Sequence, residues 1–135
     1  MKLKVYTDGG AKGNPGPAGC GAVIYNPQTK KTKKYSRFLG KATNNQAEYE
    51  ALILALRKAK ELQATEIDCY LDSRLVVEQL NRNYKIKNRV LGSCFIKIWN
   101  LSQSFKRVNY YYIPREKNKE ADRLVNEVIR KNKKT

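Results

Sequence analysis

A long helical pattern set between two alternating segments constrains this chain more than any other feature. Residues 43–62 are rich in alanine and leucine, and Thr43 with Gln46 three residues later has the capping-box spacing that opens a helix. Before it, residues 2–10 alternate as a strand does, with Leu3, Val5 and Thr7 on one face and Lys4, Tyr6 and Asp8 on the other, until Gly9 and Gly10 are expected to stop it. After it, residues 67–71 alternate again, Ile67, Cys69 and Leu71 opposing Asp68, Tyr70 and the acid that follows, Asp72. A long helix between two strands is a crossover connection. The strands therefore pair in parallel, and their carboxyl ends, carrying Asp8 and Asp72, come to one edge of a sheet. The expected class is α/β, and the length suits a single domain over 1–135.

The remaining segments fit around that unit. Residues 9–19 read as a glycine and proline loop in which Lys12 is misplaced for a phosphate cradle, and the glycines are expected to let a ligand approach the backbone. Residues 19–26 and 33–39 read as two strands about the turn at 26–29, with Lys30, Lys31, Lys33, Lys34 and Arg37 forming a solvated edge. Residues 73–80 suit a short helix, for which Asp72 is also a candidate N-cap. Residues 81–89 are a basic connector, and 90–105 a helix with Trp99 in the core or at its rim. Residues 108–113 are a last strand. A final helix buries Ala121, Leu124, Val125, Val128 and Ile129 and carries Asp122 one turn above Asn118; residues 130–135 are expected to be a frayed basic tail.

Charge and the missing residue types narrow the chemistry. Lys and Arg number 28 against 12 Asp and Glu, a net charge of +16 that draws polyanions, nucleic acid first. No apolar run reaches the roughly 18 residues of a membrane span, and a strand beginning beside Met1 leaves no room for a signal peptide. The expected location is cytoplasmic, with no membrane partner. Cys20, Cys69 and Cys94 lack metal-site spacing and read as reduced packing residues. With no histidine, imidazole ligands and histidine-based dyads are excluded. Carboxylates remain. On the long helix Leu52, Ala55, Ala59 and Leu62 fall within about 40° of Glu48, so this acid points along the apolar stripe, which is costly unless something pairs with it. Asp8, Glu48, Asp72 and Asp122 are thus expected at one edge. Two such charges at about 4 Å repel by roughly 4 kcal/mol at an effective dielectric of 20, so cations belong between them. Oxygen-only ligands select Mg²⁺ or Mn²⁺, and acids with Mg²⁺ in a polyanion-binding chain suggest two-metal phosphodiester hydrolysis.

Tyr6-Thr7-Asp8-Gly9-Gly10 with the Gly13-Asn14-Pro15-Gly16 loop, Thr43-Asn44-Asn45-Gln46-Ala47-Glu48, Asp72-Ser73-Arg74-Leu75-Val76 and Asn118-Lys119-Glu120-Ala121-Asp122-Arg123-Leu124 together resemble ribonuclease H type 1. The resemblance runs through almost the whole chain. It implies the RNase H-like fold, a mixed five-stranded sheet in the order 3-2-1-4-5 with helices on both faces, and cleavage of the RNA strand of an RNA/DNA hybrid with two Mg²⁺ ions, Mn²⁺ substituting. By motif position Asp8, Glu48, Asp72 and Asp122 match the metal-binding acids. The implied substrate contacts are Gly9, Gly10, Asn14, Thr43, Asn44, Asn45 and Arg74, with the hybrid as partner, no small-molecule cofactor and a monomeric state. Two departures stand out. Arg115 lies where many members carry a loop histidine, with Asn118 as an auxiliary beside it, and no basic handle helix follows the second helix, leaving Lys85 and Lys87 of the connector as the available grip. Arginine stays protonated, so Arg115 is expected to act by charge, on a phosphate or on Glu116. The resemblance is to the shorter branch of the family, found in archaea and some bacteria. Rival readings are a non-catalytic hybrid- or RNA-binding module, which would gain nothing from the acids, and a DNA-cutting nuclease or integrase of the same superfamily, against which the Thr43-Asn44-Asn45 motif speaks.

Overall fold

A computed structural model describes residues 1–133. The chain runs β1 (Lys2–Ala11), β2 (Gly16–Asn26), β3 (Lys31–Ala42), α1 (Asn44–Glu61), β4 (Glu66–Leu71), α2 (Arg74–Leu80), α3 (Arg89–Ser102), β5 (Arg107–Tyr112), a 3-10 turn (Arg115–Lys117) and α4 (Lys119–Lys133). The five strands form one sheet in the order β3-β2-β1-β4-β5. β2 lies antiparallel to β1 and β3, whereas β4 lies parallel to β1 and β5 parallel to β4, as a helical crossover requires. None of the described helices is long and apolar enough to cross a membrane.

One face of the sheet presents Leu3, Val5, Ile67, Cys69 and Leu71 to α1, α2 and α3, and this is the main core, with Leu52, Ile53, Leu56, Val76 and Ile98 all at most 1% exposed. Each such side chain contributes roughly 1.5–3 kcal/mol by leaving water. A buried polar pair crosses it: the Tyr49 hydroxyl donates to Gln79 Oε1 at 2.7 Å, and Gln79 Nε2 reaches the Lys85 carbonyl at 3.4 Å, tying down the connector after α2. The opposite face receives α4. Gly21, which pairs with Asp8, makes that possible, because a Cβ there would lie 2.8 Å from Leu124 Cβ and 3.0 Å from the Ala121 carbonyl oxygen. The missing side chain lets the first turns of α4, and hence Asp122, settle beside β1.

Several boundaries differ from the sequence expectation. Gly9 and Gly10 do not end β1; with Ala11 they pair with Cys20, Gly19 and Ala18, so the loop shrinks to residues 12–15 and is closed by the Lys12 N–H donating to the Pro17 carbonyl at 2.8 Å. A glycine-rich run reads as a loop because glycine is a poor strand former, yet here the antiparallel partner holds the run in the sheet. α3 ends at Ser102, and Phe105 folds back from the following turn into the core at 8% exposure. Ser73, not Asp72, caps α2: its Oγ accepts from the Val76 N–H at 3.3 Å, which frees the Asp72 carboxylate. Residues 130–133 of the expected basic tail continue α4; residues 134–135 lie outside the described residues.

Candidate active site

The parallel ladder between β1 and β4 ends at the pair Thr7 and Leu71. Asp8 and Asp72 are the next residues on each strand. β1 continues on its β2 side while β4 turns away into α2, so the two carboxylates stand in the fork where the strands part. Glu48 arrives from α1. The Gly9 N–H donates to its Oε1 at 2.6 Å, and the helix start is pinned to the same strand by the Ala11 N–H donating to Asn44 Oδ1 at 2.8 Å and the Asn44 N–H donating to Asn14 Oδ1 at 3.0 Å. Thr43 caps the helix, accepting from the Gln46 N–H at 3.1 Å. Oxygens of Asp8, Glu48 and Asp72 consequently lie within 4.8 Å of one another, with Asp8 and Glu48 only 8% and 7% exposed.

Asp122 stands outside that trio but lines the same cleft, and its carboxyl bears on that of Asp8. Burial, then the Asp72 charge, then Asp122 push the Asp8 carboxyl up to about 7. Burial raises Glu48 well above the usual carboxylate range, and the Asp8 and Asp72 charges add to it. Asp72 is also raised, by burial, though the Asn118 hydrogen bond and the Arg115 charge pull it back. Without a cation this cluster holds protons at pH values where carboxylates are ordinarily ionised. A close-set, oxygen-only, partly buried donor group of this kind fits a hard divalent ion, which would take the place of those protons.

Asn118 is placed as a positioning residue. At 2% exposure its Nδ2 donates to the Thr7 carbonyl and to Asp72 Oδ2, both at 2.8 Å, fastening the segment before α4 to the end of β1 and fixing the Asp72 carboxylate. Arg115 lines the cleft, and the charge it bears on is that of Asp72. Gly10 and Asn45 line the cleft as well. Gly9 does too, and it has a packing role beside the expected one: a Cβ there would lie 2.2 Å from the Ala47 carbonyl carbon and oxygen, so the backbone of α1 also approaches it. Arg74 is not part of the cleft wall; its guanidinium lies 4.3 Å from the centre of the Tyr112 ring. Lys85 and Lys87 sit on the exposed connector between α2 and α3, away from the acids.

Two cleft residues escaped the sequence reading. Lys12 Nζ donates to Asn126 Oδ1 at 3.1 Å, and Asn126 Nδ2 donates to Asp122 Oδ2 at 3.3 Å, so a lysine from the β1–β2 loop reaches the rim acid through an asparagine. The i, i+4 spacing of Asp122 and Asn126 was the available signal.

A family model described as "Reverse transcriptase-like" matches residues 6–128. The bifunctional protein Rv2228c of Mycobacterium tuberculosis is 42% identical over 130 residues, which are 96% of this chain but only 36% of that protein; the chain thus spans about a third of these curated relatives. The crystal structure of RNase H1 from the halophilic archaeon Halobacterium salinarum superposes with a TM-score of 0.93 at 33% identity, covering 97% of this chain and 99% of that one. LC11-RNase H1, solved in complex with an RNA/DNA hybrid, superposes with a TM-score of 0.90 at 42% identity, covering 96% and 97%. Agreement of this depth over nearly the whole of both solved chains, in sequence and in strand order alike, means that the chain belongs to the ribonuclease H type 1 family.

Proposed function

We propose that this chain hydrolyses the RNA strand of RNA/DNA hybrids, with two Mg²⁺ ions, or Mn²⁺ in their place, held by Asp8, Glu48 and Asp72 with Asp122 at the rim. The observation that carries the reading is the trio of carboxylates within 4.8 Å on a chain of net charge +16. Negative charge at the centre of a polyanion-binding surface is counterproductive for a pure binding module, and makes sense where cations mediate between acids and phosphate. When bound, such ions supply an activated water and neutralise charge on the leaving oxygen. The chain's own residues set the stage. The Gly9 N–H orients Glu48, Asn118 orients Asp72, and Arg115 keeps Asp72 closer to its ionised form. Gly10, Asn14, Thr43, Asn44 and Asn45, on the loop and the start of α1, are the proposed contacts to the hybrid backbone, acting in a monomeric cytoplasmic protein. The test is incubation with end-labelled hybrid, duplex RNA and duplex DNA, with Mg²⁺ and with chelator. Metal-dependent loss of the RNA strand from the hybrid supports the reading; cleavage confined to duplex DNA, or none at all with tight hybrid binding, supports a rival.

Proton and metal compete for the same oxygens. The Mg²⁺ concentration giving half-maximal single-turnover cleavage should therefore fall about tenfold per pH unit as pH rises toward about 7, the Asp8 value, and level off above it. Arg115→Ala removes the charge that lowers Asp72 and should raise the Mg²⁺ requirement on the acid side of that levelling point. A Mg²⁺ requirement indifferent to pH would show that these acids do not load the ion.

Hybrid affinity should fall linearly in log–log form with salt, as counterion release demands. Replacing Lys85 and Lys87 with Ala should flatten that slope by about one unit for each phosphate left without its lysine, read by fluorescence anisotropy. An unchanged slope would shift the grip elsewhere, to Lys31, Lys33 and Arg37 of β3, where Lys34 is already engaged by Glu120 at 2.6 Å.

A further inference from the structure

At the other end of the molecule, α3, the end of α2 and the start of β5 enclose a cavity of about 310 Å³. Its walls include Leu80, Arg82, Phe95, Trp99, Phe105 and Lys106, and no Asp or Glu is among the described residues that line it. It lies well away from the acids. β5 begins at Arg107, which lines the cavity and pairs with Glu66, and ends at Tyr112, which pairs with Leu71 beside Asp72; the cavity wall reaches along the strand to Tyr110, while its basic end at Arg107 lies roughly 17 Å from Tyr112. The apolar surface does not stop at the cavity mouth. α3 buries Leu91, Cys94 and Ile98 against the core but leaves Ile96 60% and Trp99 46% exposed. One turn before Ile96, Gly92 has open space where a Cβ would stand. Beside it a second hollow, lined by Arg82, Tyr84, Lys85, Ile86, Gly92 and Phe95, continues the first, so that the strip adjoins the connector whose Lys85 is the proposed hybrid grip.

We propose that this cavity and the adjoining strip of α3 dock an acidic segment of a partner protein, one aromatic or branched apolar side chain entering beside Trp99 while its carboxylates face Arg82 and Lys106. The charge complementarity is one-sided, since the ionisable groups in the cavity wall that carry charge at neutral pH are all basic. Exposed apolar surface rimmed by polar residues marks interaction sites, and tryptophan with arginine in a partly closed pocket is the composition of interface hot spots. A nucleic acid draws its affinity from phosphate contacts along an open groove and gains little from aliphatic walls such as Leu80, Ile98 and Val108. A second copy of this chain would set two surfaces of the same positive sign against each other, each chain at +16.

Trp99 is the chain's one tryptophan, so its emission reports on the cavity directly. The probes are the peptide Glu-Asp-Glu-Leu-Phe-Asp-Glu, the same peptide with Ser in place of Leu and Phe, and a short oligothymidylate. The first peptide should give a saturable blue shift, with affinity about tenfold weaker for the Ser peptide and for Arg82→Glu or Lys106→Glu, each the effect of removing one well-placed interaction. Either charge reversal suffices if the other impairs folding. Equal binding of the two peptides would reduce the site to bulk charge and overturn the proposal. So would displacement of the peptide by oligothymidylate at equal or lower concentration, a shift that follows protein concentration without peptide, or no shift with any probe.

Discussion

Asp8→Asn is expected to lower single-turnover hybrid cleavage by about a thousandfold or more while leaving hybrid affinity within about threefold of wild type, because the acid serves the cation and the basic surface serves the phosphates. Asparagine keeps the shape of the side chain. It removes one of the three carboxylates that lie within 4.8 Å, and it neutralises the residue on which burial, Asp72 and Asp122 all converge. Cleavage kinetics and anisotropy on the same labelled hybrid separate the two effects. Turnover retained at more than a few per cent would remove Asp8 from the chemistry, and abolished binding would mean that the acid shapes the hybrid site itself.

Gly9→Ala should be strongly destabilising for so small a substitution. The added Cβ would stand 2.2 Å from the Ala47 carbonyl atoms and 2.5 Å from the Glu48 nitrogen, and all of these are backbone in a helix that cannot yield locally. Relief requires α1 to lift from β1, which breaks the Gly9 N–H bond to Glu48 and the Ala11 N–H bond to Asn44. Overpacking ordinarily costs about 1–3 kcal/mol, and a backbone collision belongs at or above the top of that range. Gly10→Ala is the control. Its Cβ would meet Val125 Cγ1 at an ordinary 3.6 Å, so stability should change by less than about 1 kcal/mol. Urea denaturation of the two variants reads the contrast, and wild-type stability in Gly9→Ala would refute the close packing of α1 on β1.

Much of this was legible in the residue order, for a definite reason. Periodicities of two and of 3.6 persist through β1, α1 and β4, and a helix between two strands leaves little choice but a parallel crossover that gathers Asp8 and Asp72. Glu48 was legible because an acid on an apolar stripe violates the pattern around it. What escaped depends on contacts between segments distant in sequence. That Gly9 meets a helix as well as the cleft is decided by where α1 lies. Whether Asp72 or Ser73 caps α2 is decided by which side chain Asn118 claims, 46 residues away from Asp72. Arg74 belongs to a matching motif, but that its guanidinium lies over the Tyr112 ring at the end of β5 follows from no local pattern. The link from Lys12 through Asn126 to Asp122 joins a loop and a helix that no local pattern relates.

The claim that this cluster is built for a cation is tested most directly by the unfolding free energy of wild type relative to Asp8→Asn, measured across pH with and without Mg²⁺. Asp8 is raised from 3.8 to about 7 in the folded chain, so its stabilising share is complete below about pH 4 and is lost as pH climbs through about 7. Without metal, wild type should therefore lose ground to Asp8→Asn between those limits, by up to about 4 kcal/mol for three pH units. Saturating Mg²⁺ at about pH 8 should restore the loss in wild type and leave Asp8→Asn largely unmoved. Parallel curves for the two proteins, or equal stabilisation of both by Mg²⁺, would contradict a metal site at Asp8, Glu48 and Asp72.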